Sequence, residues 1–188
     1  MKQADLGSGL PTRRTRKHVF LDQMSRVVPW AELVALVAPF APEGRRCGTP
    51  FAVATMLRID FTRQLFGLSD PAMEEALHDV PQYREFAGLD SWTTGLARES
   101  TILRFRHLLE KQKLADQRLV LINGGLRDKG LMLRAGTVVE HPLQVIKRQF
   151  GIVKVRYRGL MKNTAQLTTL FALPNLWMVR SKLMGAGA

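Results

Sequence analysis

A helix stop and a helix start stand back to back between Gly67 and Pro71, and this punctuation commits the chain to short packed helices rather than one long rod. Upstream, Val53, Met56, Leu57, Phe61 and Leu65 recur at helical spacing within Phe51 to Phe66, and Gly67 suits the left-handed turn that ends such a segment. Downstream, Ser69 or Asp70 can cap a new helix, Pro71 fits its first turn, and Glu74 and Glu75 lie near the positive end of its dipole. Met73, Ala76, Leu77 and Val80 of that helix are expected to face the core.

The same reading extends along the chain. After Pro29, WAELVALVAPF predicts a short helix ended by Pro39 and Pro42. A further helix is expected from Ser100 or Thr101 to Lys111, with Leu108 and Leu109 inward and Arg104, Arg106 and His107 partly outward. Asp116 to Lys129 predicts another, weakened by Gly124 and Gly125 at about 1 kcal/mol each and closed by Gly130. LMLRAGTVV, rich in β-branched residues, predicts a strand, and Glu140 to Phe150 a helix stopped by Gly151. Ile152 to Arg158 alternates apolar with basic residues, as a strand or extended loop does. Asn163 or Thr164 can cap a last amphipathic helix presenting Leu167, Leu170, Phe171, Leu176 and Trp177, with a kink expected at Pro174.

Charge is distributed unevenly over this framework. Of the net +12, residues 141–188 contribute +8 and residues 1–140 only +4. A basic field of that size favours nucleic acid, although an anionic membrane would feel the same Coulomb attraction. The longest apolar stretch, Ala31 to Ala41, is too short to span a bilayer and contains Glu32, so no membrane span is expected. No secretory signal is legible, which makes the cytoplasm the expected location. Cys47 is the sole cysteine, excluding an intrachain disulfide and a CxxC metal pair, and the four histidines lack ligand spacing. Residues 1–28 are polar, and Arg13, Arg14, Arg16 and Lys17 mark a flexible basic arm, either DNA-contacting or merely solvated.

Glu140 and Lys147 lie seven residues apart, two helical turns, and project from one face. The segment they open, EHPLQVIKRQFG, resembles the end of the catalytic core of bacterial insertion-sequence DDE transposases whose signature reads Tyr, two residues, Arg, three residues, Glu, six residues, Lys. The Glu and Lys are present, whereas Leu133 and Gly136 stand where Tyr and Arg belong. SRVVPWAELVALVAPF, MLRIDFTRQLFGLSDPAMEEALHD, YREFAGLD, FRHLLEKQKL and GTVV resemble the helical N-terminal module of the group typified by insertion sequence five. With KVRYRGLMKNTAQL and LPNLWMVRSKLM, the resemblance covers nearly all of residues 13–184.

In that family a strand like GTVV delivers the first catalytic Asp, and a long middle segment supplies the second before the Glu-bearing helix. Here GTVV runs directly into Glu140, so the two ends of the pattern meet at Val139 and Glu140 with the middle missing. The resemblance implies an RNase H-like core, a pair of magnesium ions held by three carboxylates, and DNA cleavage and strand transfer. After Asp128 the only acid is Glu140, and one Glu cannot fix such ions, so stable magnesium binding is not expected here. His141 and Pro142 continue the Glu motif, which argues against Glu140 standing in for the first Asp; a plain surface pairing of Glu140 with Lys147 is the simpler alternative.

The expected architecture is mostly α: a basic flexible arm (1–28), a helical transposase module (29–130), a catalytic-core remnant of strand, Glu-bearing helix, strand and C-terminal helix (131–184), and a tail (185–188). The expected function is that of a DNA-binding, catalytically defective relative of an insertion-sequence transposase. Its DNA contacts are assigned to Lys147, Arg148, Lys154, Arg156, Arg158, Lys162, Arg13, Arg14, Arg16 and Lys17, with Glu140 as the remnant third acid and a metal ligand only where the missing acids are supplied. Transposon-end DNA, a second copy and full-length transposase are the expected partners. The alternatives are a regulator that competes with or poisons full-length transposase, and a nonspecific nucleic-acid-binding protein. If Leu170, Phe171, Leu176 and Trp177 find no RNase H-like sheet to cover, they either stay exposed and drive association or pack on the N-terminal helices.

Overall fold

The computed structural model describes residues 14–41, 51–89, 95–131, 147 and 160–185, with side chains in the last span described at 164, 168 and 170–185. The protein is mostly α, and no strand occurs among the described residues. The elements are α1 (Arg16–Val27), α2 (Trp30–Val37) with a single 3-10 turn (Ala38–Phe40), α3 (Val53–Leu65), α4 (Asp70–Asp79), α5 (Pro81–Ala87), α6 (Glu99–Lys111), α7 (Leu114–Asp128) and α8 (Leu160–Gly185). The expected strand over 131–139, the helix over 140–150 and the extended segment over 152–158 lie outside the described residues apart from Leu131 and Lys147.

The punctuation around Gly67 works as expected. Gly67 takes a positive φ of 58°, the amide of Leu68 donates to Arg63 O at 2.8 Å, and the chain turns out of α3. The Ser69 hydroxyl then accepts from the Ala72 amide and starts α4. Met73 and Leu77 are fully buried, with Ala76 and Val80 packed partly against the same core.

Three elements depart from the sequence reading. The arm expected over 1–28 is helical from Arg16, because Leu21, Met24 and Val28 form an apolar stripe at helical spacing within an otherwise polar segment. Thr15 caps that helix by accepting from the His18 amide at 3.2 Å. Helix α5 was not anticipated; Pro81 opens it and Gly88, at φ 70°, closes it with the Leu89 amide donating to Arg84 O. Helix α8 begins at Leu160, so Asn163 and Thr164 lie inside it, and the Thr168 hydroxyl donates to Thr164 O one turn back.

Helix α8 runs on through Pro174 and makes its most extensive contact with α7, with further contacts to α1 and α3. Leu170, Leu173 and Leu176 are buried at its inner face, and Asn175 Nδ2 donates to Asn123 Oδ1 of α7 at 2.8 Å. The tail helix therefore completes the core of the N-terminal module. That burial offsets the backbone hydrogen bond a proline removes from a helix interior. Leu173→Ala is expected to destabilise the protein by about 2–5 kcal/mol, measured as a lowered urea midpoint at unchanged m-value.

Candidate functional site

Two constructions of charged residues stand out: a buried neutral network and an aromatic column with cations at its ends. The network starts within α3, where Asp60, Arg63 and Gln64 interrupt an apolar helix and are all buried. Arg63 Nη2 donates to Asp60 Oδ1 at 2.8 Å, and Gln64 Nε2 to Asp60 Oδ2 at 2.7 Å. From α7, Arg118 Nη1 donates to the same Oδ2 at 3.2 Å.

The network continues into α4 and α6. Arg63 Nε lies 3.6 Å from Asp70 Oδ1. Arg106 of α6 grips Asp70 Oδ2 through Nε at 3.2 Å and Nη2 at 2.8 Å, while its Nη1 donates to Glu110 Oε1 at 3.0 Å. Its side chain is 13% exposed, so Arg106 is only partly outward, as expected, and Asp70 at the start of α4 draws its guanidinium inward. Three guanidinium groups face three carboxylates, and four helices meet at a charge-neutral centre.

Burial pushes the Asp60 carboxyl upward, but Arg63, Arg118 and the hydrogen bonds from Arg63 and Gln64 overcome it and hold the group below the usual carboxylate range. Asp60 is therefore an ionised, saturated acceptor. Asp70 Oδ2 accepts both its hydrogen bonds from Arg106, whereas its buried Oδ1, 3.6 Å from Arg63 Nε, has no hydrogen-bond partner.

The second construction joins the two ends of the described chain. The Lys17 ammonium lies 5.4 Å from the centre of the Phe66 ring, which meets Phe20 edge to face at 6.3 Å. Phe20 in turn packs at 4.8 Å against Trp177 of α8, and the Arg180 guanidinium lies 3.5 Å over the Trp177 ring. Tyr83 stacks on the far side at 5.1 Å from Phe66, and its burial pushes its hydroxyl above the ordinary value. Cations from α1 and α8 are thereby fixed near one column of rings.

Arg14, Arg16 and Lys17 are all exposed, and the first turn of α1 holds no acid. Cations at a helix N-terminus oppose its dipole, so they do not serve the stability of α1. Lys147 is exposed at a helical position. Lys162 belongs to α8, where its side chain is not described, and Glu140, Arg13, Arg148, Lys154, Arg156 and Arg158 lie outside the described residues. Sequence reasoning missed Arg58, which donates to Ser25 Oγ at 3.1 Å and Phe86 O at 2.9 Å between the Trp30 and Phe86 rings. It borders an open cleft of about 160 Å³ between α1 and α5, where His18 and Glu85 approach to 3.9 Å. Among the described residues no group of three His, Cys, Asp or Glu is placed to hold a metal ion, and no helix is long and apolar enough to cross a membrane.

Residues 10–108 match a family model described as Transposase domain (DUF772), which covers more than half of the chain. No solved structure matches it significantly.

Asp60→Asn is expected to destabilise the protein by about 3–5 kcal/mol at neutral pH, because it leaves Arg63 and Arg118 buried against an uncharged partner. Since the folded-state value of Asp60 lies below its unfolded one, its contribution is present above the unfolded value of about 3.9 and is lost as pH falls through the folded value. Urea midpoints recorded from pH 7 downward should fall in the wild type and fall less in Asp60→Asn.

Proposed function

The chain belongs to the transposase domain family (DUF772), and on that premise we propose that it binds DNA at transposon ends as a catalytically defective relative of the insertion-sequence-five group. The observation that carries the DNA-binding part is the convergence of basic side chains from α1 and α8 on one aromatic column, Lys17 at one end and Arg180 at the other. Cations held at the two ends of a packed column of rings offer fixed positive charge to the phosphates of a polyanion. The exposed Arg14 and Arg16 extend that surface at the start of α1, and the uniformly basic segment from Lys147 to Lys162 adds charge of the same sign.

Loss of catalysis follows from the carboxylates. Two of the three acids of a DDE core are missing where GTVV meets Glu140, and Asp60 and Asp70 each face guanidinium partners. A remnant of this kind holds a transposon end without cutting it, and so acts as a competitor of full-length transposase. The role of Leu170, Leu173 and Leu176 is compatible with that: in the core of the helical module they make the remnant a folded protein rather than an aggregating fragment.

Fluorescence anisotropy with a terminal-repeat duplex and a scrambled duplex tests the reading. The repeat should bind tighter by at least a few kcal/mol, with log K falling against log salt by about 0.9 for each phosphate neutralised. Equal affinity for both duplexes would leave only nonspecific binding. Incubation of the repeat duplex with magnesium or manganese should yield no cleavage, and a cut at the transposon end would overturn the catalytic part alone.

A further inference from the structure

We propose that the outward face of α6, together with the corner joining it to α7, is the surface that lies against the DNA backbone. This rests on the DNA-binding reading above and names an element that no basic arm or tail supplies. Ser100, Arg104, His107 and Lys111 are all exposed on α6. At 100° per residue they fall within about 60° of one another, a single stripe along the helix. No acidic residue lies in that stripe, and among the described residues Arg104, Lys111 and Lys113 take part in no ion pair.

The phase of that stripe is fixed from behind. Ile102 and Leu109 are buried on the opposite side of α6, which packs on α3, α4 and α7. Arg106, turned inward onto Asp70 and Glu110, prevents the helix from rolling about its axis. With its apolar side spent in the core, α6 has nothing to insert into lipid, so an anionic membrane is the poorer fit to the same charges. From Arg104 to Lys111 the stripe spans about 10 Å, long enough to reach about two successive phosphates of one strand.

Lys113 supplies an independent observation. It adopts φ 52°, and among the described residues it is the one non-glycine with positive φ. Gly takes that conformation without the steric clash a Cβ brings, so a lysine there stands against local conformational preference. Lys111 at the end of α6 is explained equally well by the helix dipole, but Arg104 and His107 in mid-helix and Lys113 in the corner are not. The exposed Lys113 adds a cation at the corner that follows α6 in the chain, as contact with a phosphate chain would use.

Salt-dependent anisotropy of the full chain on a 20-base-pair duplex tests the assignment. The triple variant Arg104→Ala, Lys111→Ala, Lys113→Gly should lose at least ten-fold in affinity at about 0.1 M salt, and its log–log slope should be shallower by about 2.7, three contacts at about 0.9 each. Lys113→Gly alone should melt at or above the wild-type temperature while still weakening DNA binding, a pairing of effects that a purely structural lysine does not give. Wild-type affinity and slope in the triple variant would overturn the α6 surface and leave the DNA-binding reading standing. If the unmodified chain itself shows no salt-dependent binding, both fall. Tighter binding to an RNA duplex of the same sequence would overturn the assignment to DNA.

Discussion

Asp60 is the point on which the helices agree. It accepts from Arg63 and Gln64 of its own helix and from Arg118 of α7, and through Arg63 it is linked to Asp70 and so to Arg106 of α6. Buried ion pairs contribute little net stability, since desolvation cancels most of the Coulomb gain, but they are intolerant of misalignment. A rotation or slip of α3, α6 or α7 would strand a charge in a medium that cannot solvate it. Apolar side chains alone would accept many neighbouring packings; the network selects one. The phase of α6, and therefore which of its residues face outward, is set by this constraint.

Helix boundaries were legible wherever backbone chemistry announces them. Gly67, Ser69, Pro71 and Gly130 each do locally what their side chains or lack of one dictate, and the bounds of α3, α4 and α7 follow closely. Local chemistry says less about segments whose only signal is burial. Leu21, Met24 and Val28 read as sparse apolar residues in a polar arm until a groove formed by other helices gives them somewhere to go. Asn163 and Thr164 illustrate the reverse error, because a residue able to cap a helix can also sit within one when the helix extends upstream of it.

The charged network had a sequence signal that periodicity alone discards. In MLRIDFTRQLFGL Asp60 stands between Ile59 and Phe61, and the polar run Thr62 to Gln64 is bounded by Phe61 and Leu65, which is the pattern of a helix buried all round. Asp60 with Arg63 and Asp60 with Gln64 are three and four apart and already face one another. The partners on α6 and α7 were not recoverable from spacing, because Arg106 and Arg118 look like any surface cation until the tertiary structure turns them inward. Half of the ten candidate DNA contacts belong to the segment between Leu131 and Leu160; Arg14, Arg16, Lys17 and Lys147 can be located, and all four are exposed.

The contact between Phe20 and Trp177 closes the molecule across nearly its whole described length. A chain emerging from the ribosome makes α1 through α7 before α8 exists, and during that interval the surface of α7 that Leu170, Leu173 and Leu176 later cover is open to any other apolar segment. Long-range closure of this kind delays the last step of folding behind the entropy of a large loop. The order of synthesis therefore leaves the apolar side of α7 uncovered until α8 has been made.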